Sequence, residues 1–364
     1  MRIAVIQDFL RRGGTERQSL LLCREFRKLG ATPVLISIRP GGPLSGEAAQ
    51  AGIEHRSVMR LDTRLDFFAP GLSRAVARAE PDVVICMGRV ANGFANHLQR
   101  SNPGALVVGT VRTGKPVTWD NWRSFRRLPL VISNTQWWRR ELQRRGLERE
   151  KLAVIPNGLT FSWSWPDVRR LRAGVRDRLG LEPDQCLLLN VAGFRPGKRQ
   201  EHLIRLLAKM PAAIPWRAVM VGDGERLANA QQLAQELGLS DRITFTGALE
   251  DPGPFYAAAD IAVSVSQEDA LPNFLVEAQV AALPVLATDF QGVGEAFKDK
   301  ESGYLVEPDD QSEFMARLQE LIELPAKRKA LGASGREWAQ EQFDPTNSAR
   351  RHLELLRQHL AARA

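Results

Sequence analysis

The stretch "DIAVSVSQEDALPNFLVEAQVAALPVLATD", residues 260–289, predicts a strand, a helix and a second strand. Residues 260–266 and 284–289 are apolar runs in which hydrophobicity is continuous rather than alternating. Such runs are typical of strands covered on both faces, and therefore of parallel sheets with crossover helices. Pro272 suits the first turn of the helix, which we expect to extend to about Leu283.

The same alternation recurs along the chain. Ten further short apolar runs are separated by helix-length amphipathic segments, at 2–7, 33–38, 82–87, 105–111, 130–133, 152–156, 186–193, 217–224, 242–247 and 303–306. Twelve strands are too many for one sheet of common size. We therefore predict an α/β fold with two doubly wound, Rossmann-like parallel-sheet domains.

The predicted boundary follows from composition. Residues 161–180 lie in a stretch that combines Pro, Asn, Gly and Ser with a run of arginines and has no strand pattern, so they are expected to be an interdomain linker. The domains are then 1–160 and 181–340. Residues 341–364 contain a lone amphipathic helix, which we expect to pack back on the N-terminal domain.

Bulk properties predict a soluble cytoplasmic protein. The 364 residues are 44% hydrophobic, a fraction typical of globular proteins, and the apolar runs are too short to span a bilayer. At the N-terminus the arginines follow the apolar run, which is the wrong order for a signal peptide. Cys23, Cys86 and Cys186 are few and widely spaced, which fits a reducing compartment and no metal site.

The charge is unevenly distributed. The chain carries a net +8, but residues 1–160 hold 26 basic and 13 acidic side chains, a net +13, and the remainder is −5. This asymmetry suggests that the first half faces an anionic partner, whether membrane, nucleic acid or acidic substrate. A GC-rich genome would explain arginine in place of lysine but not the asymmetry.

In parallel sheets, ligands bind at the carboxyl ends of strands, close to helix N-termini that attract phosphate. Gly13 and Gly14 follow the first strand and would let the backbone approach a ligand, although a helix cap is the more common reason for such glycines. Arg195, Lys198 and Arg199 follow the run at 186–193, where they are well placed for a diphosphate. A solvated basic loop explains these cations equally well.

The carboxylates in the opening stretch need donors. Asp269 is expected in the loop and Glu277 inside the helix, in an apolar setting where a carboxylate requires hydrogen bonds that sugar hydroxyls could supply. The backbone N–H groups of Asn273, Phe274 and Leu275, at the start of the helix, would be available to phosphate or sugar oxygens.

Together these motifs resemble the family 4 glycosyltransferases of the GT-B fold. The resemblance covers nearly all of the chain, in the runs at 13–17, 131–146, 151–159, 191–204, 221–226, 243–247, 256–295 and 303–306. It implies two domains that face each other across a cleft, the N-terminal one binding the acceptor and the C-terminal one the nucleotide-sugar donor.

The resemblance also assigns candidate catalytic residues. Glu277 matches the glutamate that binds the ribose hydroxyls, and Lys198 matches the phosphate-binding lysine. Asp269 stands where a longer glutamate usually lies near the hydroxyls of the transferred sugar. The usual partner arginine is replaced by Gly193, so Arg195, two residues later, is the expected substitute.

The first domain also resembles that of the family, with one departure. Gly14 corresponds to the glycine that abuts the donor diphosphate, and Arg112 stands where many relatives place a histidine. Family 4 enzymes are retaining, and the departing phosphate oxygen can accept the acceptor's proton, so the missing histidine is not fatal. Arg112 could stabilise the diphosphate, hold an anionic acceptor or simply pair with a carboxylate. The chain has no Asp-x-Asp, so neither metal nor cofactor is expected.

Tryptophans interleaved with arginines predict the acceptor side. Six of the eight lie between 119 and 165: Trp119, Trp122, Trp137, Trp138, Trp163 and Trp165. Basic and aromatic residues on short helices favour docking on an anionic inner leaflet, where a lipid-linked or lipopolysaccharide acceptor would lie. A core-packing tryptophan pair, or aromatics over an acceptor sugar, are the alternatives.

The expected function is therefore transfer of a hexose, with retention, from a UDP- or GDP-sugar to a hydroxyl of a glycan or lipid-linked acceptor in cell-surface polysaccharide or lipopolysaccharide biosynthesis. A nucleotide-sugar 2-epimerase of the same fold is one alternative, but none of the five histidines lies at a predicted strand end. A basic nucleic-acid-binding protein is another, but no motif of that class is present, so no nucleic acid is expected.

Overall fold

The computed structural model describes residues 1–11, 13–62, 65, 68–159 and 165–363. The chain divides into two compact units, the first formed by Met1–Leu159 with Phe343–Ala364 and the second by Thr160–Gln342. Each unit has its own parallel sheet with helices. The predicted fold class, two doubly wound Rossmann-like domains, is confirmed.

The first unit contains a seven-stranded sheet with the order β3-β2-β1-β4-β5-β6-β7. Its strands are β1 (Arg2–Gln7), β2 (Thr32–Ser37), β3 (Glu54–Ser57), β4 (Val83–Cys86), β5 (Leu106–Val111), β6 (Leu130–Ser133) and β7 (Leu152–Val154). Between them lie α1 (Gly14–Lys28), α2 (Leu44–Gln50), α3 (Leu72–Ala77), α4 (Arg89–Ser101), α5 (Trp119–Phe125) and α6 (Gln136–Arg144). The strand order reverses between β1 and β4, where open α/β sheets bind ligands.

The second unit contains a six-stranded sheet with the order β10-β9-β8-β11-β12-β13. Its elements are α7 (Trp165–Arg178), β8 (Cys186–Val191), α8 (Gln200–Leu207), β9 (Trp216–Val221), α9 (Leu227–Glu236), β10 (Ile243–Gly247), α10 (Gly253–Ala258), β11 (Ile261–Ser264), α11 (Asn273–Val280), β12 (Val285–Thr288), β13 (Gly303–Val306), α12 (Gln311–Glu323) and α13 (Pro325–Gln342). Here the order reverses between β8 and β11.

Both cores follow from the continuous apolar runs. In the first unit, Val5 and Ile85 are fully buried on neighbouring strands, and in the second Trp216 is fully buried beside β8. Each such side chain contributes about 1.5–3 kcal/mol by leaving water. The sheets are therefore rigid platforms, and the loops at their carboxyl ends carry the polar residues.

The last helix, α14 (Pro345–Ala361), belongs to the first unit. Asp344 caps it by accepting the N–H of Asn347 at 2.6 Å. Its apolar face, with Leu353 and Leu356, joins the same core cluster as Phe26 of α1. Residues 343–364 thus complete the first unit, although the chain reaches them after the second.

Three local predictions were wrong. Strand β3, with the polar sequence EHRS, was missed because it is a half-exposed edge strand. Residues 161–180, expected as a linker, contain α7, which belongs to the second unit because Arg172 and Arg176 both pair with Asp260. Helix α11 begins after Pro272 and ends at Val280, three residues short of the prediction.

Candidate functional site

The strand-order reversal of the second unit brings two predicted residues together. Lys198 follows β8 and Asp269 follows β11, and these strands are neighbours in the sheet. Lys198 Nζ lies 2.5 Å from Asp269 Oδ1, and the side chains are only 12% and 16% exposed. The sequence placed both residues near the donor, and the structure makes them an ion pair.

Gly197 allows the two loops to meet. A Cβ at this position would collide with the side chain of Glu268 in the loop after β11. The carbonyl of Gly197 accepts the N–H of Gln267 at 2.7 Å. The pairing of Lys198 with Asp269 therefore rests on backbone packing as well as on charge.

Arg195 and Gly193 lie side by side. A Cβ built on Gly193 would lie 4.0 Å from Nε of Arg195 and 3.6 Å from the Asp223 carbonyl, which is ordinary contact. Arg195 is half-exposed, with Nη1 4.0 Å from a carboxylate oxygen of Glu268. The guanidinium thus lies close to where a longer side chain at position 193 would begin.

Glu277 is held by a residue that the sequence analysis did not single out. Tyr256 of α10 is buried and donates its hydroxyl to Glu277 Oε2 at 2.5 Å. The Tyr256 ring also packs against Phe274, with centroids 6.1 Å apart. The only sequence signal was that Tyr256 is one of just two tyrosines in the chain.

The start of α11 corrects one prediction. The N–H of Leu275 donates to the carbonyl of Pro272 at 3.0 Å, so it is not available to a ligand as expected. The helix begins with a tight turn that satisfies this group internally. The side chains of Phe274 and Leu275 are buried, whereas Asn273 is half-buried at the first position.

In the first unit, Gly13 caps α1 and Gly14 is its first residue. A Cβ on Gly13 would meet only the carboxylate end of the Glu16 side chain, and the φ of Gly13 is −89°, so neither contact nor backbone conformation requires a glycine here. Burial raises the pKa of Glu16. Behind the loop, the buried amide of Gln7 donates to Ser19 Oγ at 2.7 Å. The loop is thus held by this neutral hydrogen bond and by ion pairs in which Arg11 binds both Asp8 and Glu16.

Arg112 is buried at the end of β5, with 8% of its surface exposed. Nη1 donates to Asn157 Oδ1 at 2.7 Å, and Nη2 donates to Nε2 of His352 in α14 at 2.9 Å. His352 Nδ1 lies 2.7 Å from the Ser348 carbonyl, so the imidazole is neutral, with its proton on Nδ1. Burial, followed by Arg112, lowers the pKa of His352 to about 3, and burial lowers that of Arg112 to about 10. Of the three roles considered for Arg112, the structure does not show the pairing with a carboxylate, since the hydrogen bonds described go to an amide and an imidazole.

The tryptophans divide into core and surface. Trp138 is 1% exposed and donates its indole N–H to the Thr113 carbonyl at 2.9 Å, which confirms a packing role for it. Trp119 is 68% exposed, and the Arg123 guanidinium lies 5.3 Å from its ring centroid. Trp122 is half-buried on the same helix. Trp163 and the side chain of Trp165 lie outside the described residues.

The described part of the chain lacks two features. No group of three or more His, Cys, Asp or Glu residues is arranged to hold a metal ion there. None of the helices described has both the length and the hydropathy of a membrane span.

Comparisons with known proteins match both units. Residues 12–162 match the family described as Glycosyltransferase Family 4, and residues 173–338 match Glycosyl transferases group 1. The lipopolysaccharide core biosynthesis glycosyltransferase LpsE of Rhizobium meliloti is 28% identical over 94% of this chain and 96% of its own length.

Solved structures share the fold. HepE of Anabaena in complex with UDP-glucose has a TM-score of 0.85 at 22% identity, over 98% of this chain and 100% of its own. The lipopolysaccharide outer core galactosyltransferase WaaB has a TM-score of 0.71 at 17% identity, over 96% and 98%. Fold and family together define a glycosyltransferase with the two Rossmann-like domains of the GT-B class. The chain belongs to the family 4 glycosyltransferases, as its sequence motifs predicted.

Proposed function

We propose that the protein transfers a hexose, with retention of configuration, from a nucleotide-diphospho-sugar to a hydroxyl of a glycan or lipid-linked acceptor. The observation that carries this proposal is the Lys198–Asp269 pair at the strand-order reversal of the second unit. A fixed cation and a carboxylate at such a point suit a ligand with both phosphates and hydroxyls. HepE, of the same fold, binds UDP-glucose.

Lys198 and Asp269 can each bind the nucleotide-sugar donor while they remain paired with each other. The ammonium group of Lys198 has three N–H donors, so it can bind a phosphate oxygen while one N–H remains on Asp269. A carboxylate has about four lone-pair sites, so Asp269 can also accept from a sugar hydroxyl. Arg195, half-exposed beside Gly193, would supply a second cation to the diphosphate.

Glu277 is proposed to bind the ribose. Tyr256 fixes one carboxylate oxygen, which orients the group and satisfies part of its hydrogen-bonding capacity in a mostly apolar setting. The vicinal hydroxyls of a ribose are donors that match the remaining lone pairs. Tyr256 acts in this scheme as a positioning residue.

The chemistry requires positioning and charge stabilisation. As the glycosidic C–O bond breaks, negative charge develops on the diphosphate, where Lys198 and Arg195 are proposed to stabilise it. The departing phosphate oxygen takes the proton of the acceptor hydroxyl, which bonds to the anomeric carbon on the same face. We propose that neither a metal nor a cofactor takes part.

A donor panel tests this proposal. The protein is incubated with UDP-, GDP- and ADP-sugars and the products are followed by NMR. We expect slow release of free sugar from one donor, with the anomeric configuration of that donor in the first product formed. An epimerised donor would instead support an isomerase, inversion would contradict the retaining mechanism, and no donor binding would contradict the whole proposal.

The acceptor is proposed to lie at an anionic membrane surface, in lipopolysaccharide or related polysaccharide synthesis. The name of LpsE, which matches the full chain, supports this pathway, and the net +13 of residues 1–160 and the exposed Trp119 support the surface. We expect salt-sensitive co-sedimentation with phosphatidylglycerol vesicles and less with phosphatidylcholine.

A tryptophan variant makes the vesicle test specific. Trp119→Ala should weaken vesicle binding about threefold to tenfold, because an exposed indole supplies apolar contact at an interface. Leu237→Ala removes an exposed apolar side chain from the second unit and is the control. Binding that ignores salt and survives Trp119→Ala would contradict the proposed surface.

A further inference from the structure

A basic pocket lies beside the loop that follows β8, between α8 and α9. Its volume is about 280 Å³, which leaves room for a tetrahedral oxyanion and several waters, since a water occupies about 30 Å³ of liquid. The ionisable residues in its wall are Arg195, Arg199, Arg205, Arg226, Glu201 and His202. Of the described residues that form the proposed donor site, only Arg195 is shared; Lys198, Asp269 and Glu277 do not line this pocket.

The positive charge in this pocket exceeds the negative charge. Four guanidinium groups face one carboxylate, and that carboxylate pairs with Arg226, whose Nη2 lies 2.9 Å from Glu201 Oε2. The pKa of His202 is lowered, first by burial and then by Arg199, Lys209 and Arg205. An anionic ligand is the chemical complement of such a wall.

Two buried donors have no partner. Nη1 of Arg199 and Nε of Arg226 are buried and make no hydrogen bond within the described part of the chain. Glu201 Oε1 is also buried and unpaired there. A buried donor left unpaired is destabilising, so an acceptor that reaches both arginines would be stabilised.

The backbone of Arg199 adds a second, independent observation. Its φ of 54° and ψ of 34° lie in the left-handed region, which favours glycine. Backbone strain of this kind is often found at functional sites. The strained residue, Arg199, is one whose side chain lines the basic pocket.

We propose that this pocket binds a phosphate-class oxyanion at a site separate from the one at Lys198. The ligand is either inorganic phosphate or a phosphoryl group on a larger molecule. The sequence analysis assigned Arg195, Lys198 and Arg199 to one diphosphate. The structure separates them, because Lys198 pairs with Asp269 whereas Arg199 lines the pocket with Arg226.

The test is calorimetric titration of the full chain with inorganic phosphate, with chloride used to keep the ionic strength constant. Arg199→Gly removes the guanidinium and places at this φ the residue that tolerates it, so the fold is retained. Loss of a charge-assisted hydrogen bond should weaken phosphate binding about tenfold in this variant and in Arg226→Gln. Glu201→Gln should tighten binding severalfold, because it removes the one carboxylate that the described residues place in the wall.

Lys300→Gly is the matched control. Lys300 is an exposed basic residue of the same unit with a φ of 64°, so its replacement removes one charge and relieves the same kind of strain outside the pocket. It should leave phosphate binding unchanged. Phosphate that binds no better than chloride, or an Arg199→Gly variant that binds as well as Lys300→Gly, would overturn the proposal.

Two further measurements locate the phosphate site relative to the donor site. Saturating UDP should leave phosphate binding in place, and Lys198→Ala should not abolish it. Displacement by UDP together with loss in Lys198→Ala would mean that the ion occupies the donor site, which also overturns the proposal. Because the titration without UDP does not depend on donor recognition, failure of the proposed function would be seen separately, as an absence of UDP binding.

Discussion

In the second unit an ion pair joins the loops that follow β8 and β11, the two strands at which the strand order reverses, whereas in the first unit the ion pairs of the loop after β1 join Asp8 to Arg11 and to Arg39, which follows β2. Lys198 and Asp269 form an ion pair in the second unit. In the first, Gly13 caps a helix while Gln7 donates to Ser19. One architecture thus supports two kinds of chemistry, because the sheet fixes where a site lies and the loops decide what it binds.

The buried cation of the first unit extends this contrast. Arg112 bonds to an amide and a neutral imidazole, and the imidazole comes from α14. In the second unit the cation at the strand-order reversal is Lys198, which has a carboxylate partner and three N–H donors. We therefore expect Arg112 to contribute mainly to the stability of the first unit and Lys198 to bind a ligand in the second. The following predictions test that difference.

The largest effect is expected from Lys198→Ala. Removing a preorganised donor from the developing charge of a leaving group costs about 10²–10³-fold in kcat. Lys298→Ala, which removes an exposed lysine that pairs with Glu301, should retain activity and is the control. The measurement is the steady-state rate with the donor selected in the panel. Comparable losses in both variants would remove Lys198 from the chemistry.

The next effect concerns the pH dependence of stability. The folded pKa of His352 is about 3, whereas an unfolded histidine titrates near 6.5, so the unfolded chain takes up a proton that the folded chain excludes. The stabilisation is complete above about pH 6.5 and is lost as the pH falls toward 3. At pH 5 the loss is about 2 kcal/mol.

Urea unfolding at pH 7.5 and pH 5 measures this effect. His352→Gln should remove about 2 kcal/mol of the decline between these pH values, because glutamine has no titrating group. His359→Gln, on the same helix, is the control and should show the decline of the unsubstituted protein. If the decline is the same in all three proteins, His352 is not the residue that responds to pH.

The smallest effect is expected from Tyr256→Phe. Loss of the hydroxyl that orients Glu277 should raise KM for the donor about tenfold and change kcat less, because one charge-assisted hydrogen bond is lost. The chain has one other tyrosine, so Tyr304→Phe in the same unit is an equivalent chemical change away from Glu277. Equal KM values for the two variants would exclude a positioning role for Tyr256.

Most of the fold could be predicted because fully buried strands have a local signature. All twelve predicted apolar runs contain strands, with ends that differ by at most three residues. Strand β3 has no such signature, since its side chains are polar and half-exposed. Helix α7 was hidden in an arginine-rich stretch, and the partner that ties two of these arginines to the second unit, Asp260, lies more than 80 residues away.

Some residues of the candidate site could likewise be predicted from the sequence, and others could not. Lys198, Asp269 and Glu277 could be proposed because each lies at a strand end or in the helix that follows one. Tyr256 and His352 could not, because their importance comes from contacts 21 and 240 residues distant in the sequence. Local patterns thus predict where the chemistry lies, and tertiary packing supplies the residues that hold it.

The central claim is that Lys198 binds the diphosphate of a nucleotide-sugar and Glu277 its ribose. Calorimetric binding of UDP and of uridine to the Lys198→Ala and Glu277→Gln variants tests it most directly, with GDP and guanosine used instead if the panel selects that base. We predict that Lys198→Ala weakens UDP binding at least tenfold and leaves uridine binding unchanged, while Glu277→Gln weakens both. A Lys198→Ala variant that loses uridine as much as UDP, or a Glu277→Gln variant that binds uridine normally, would contradict the account.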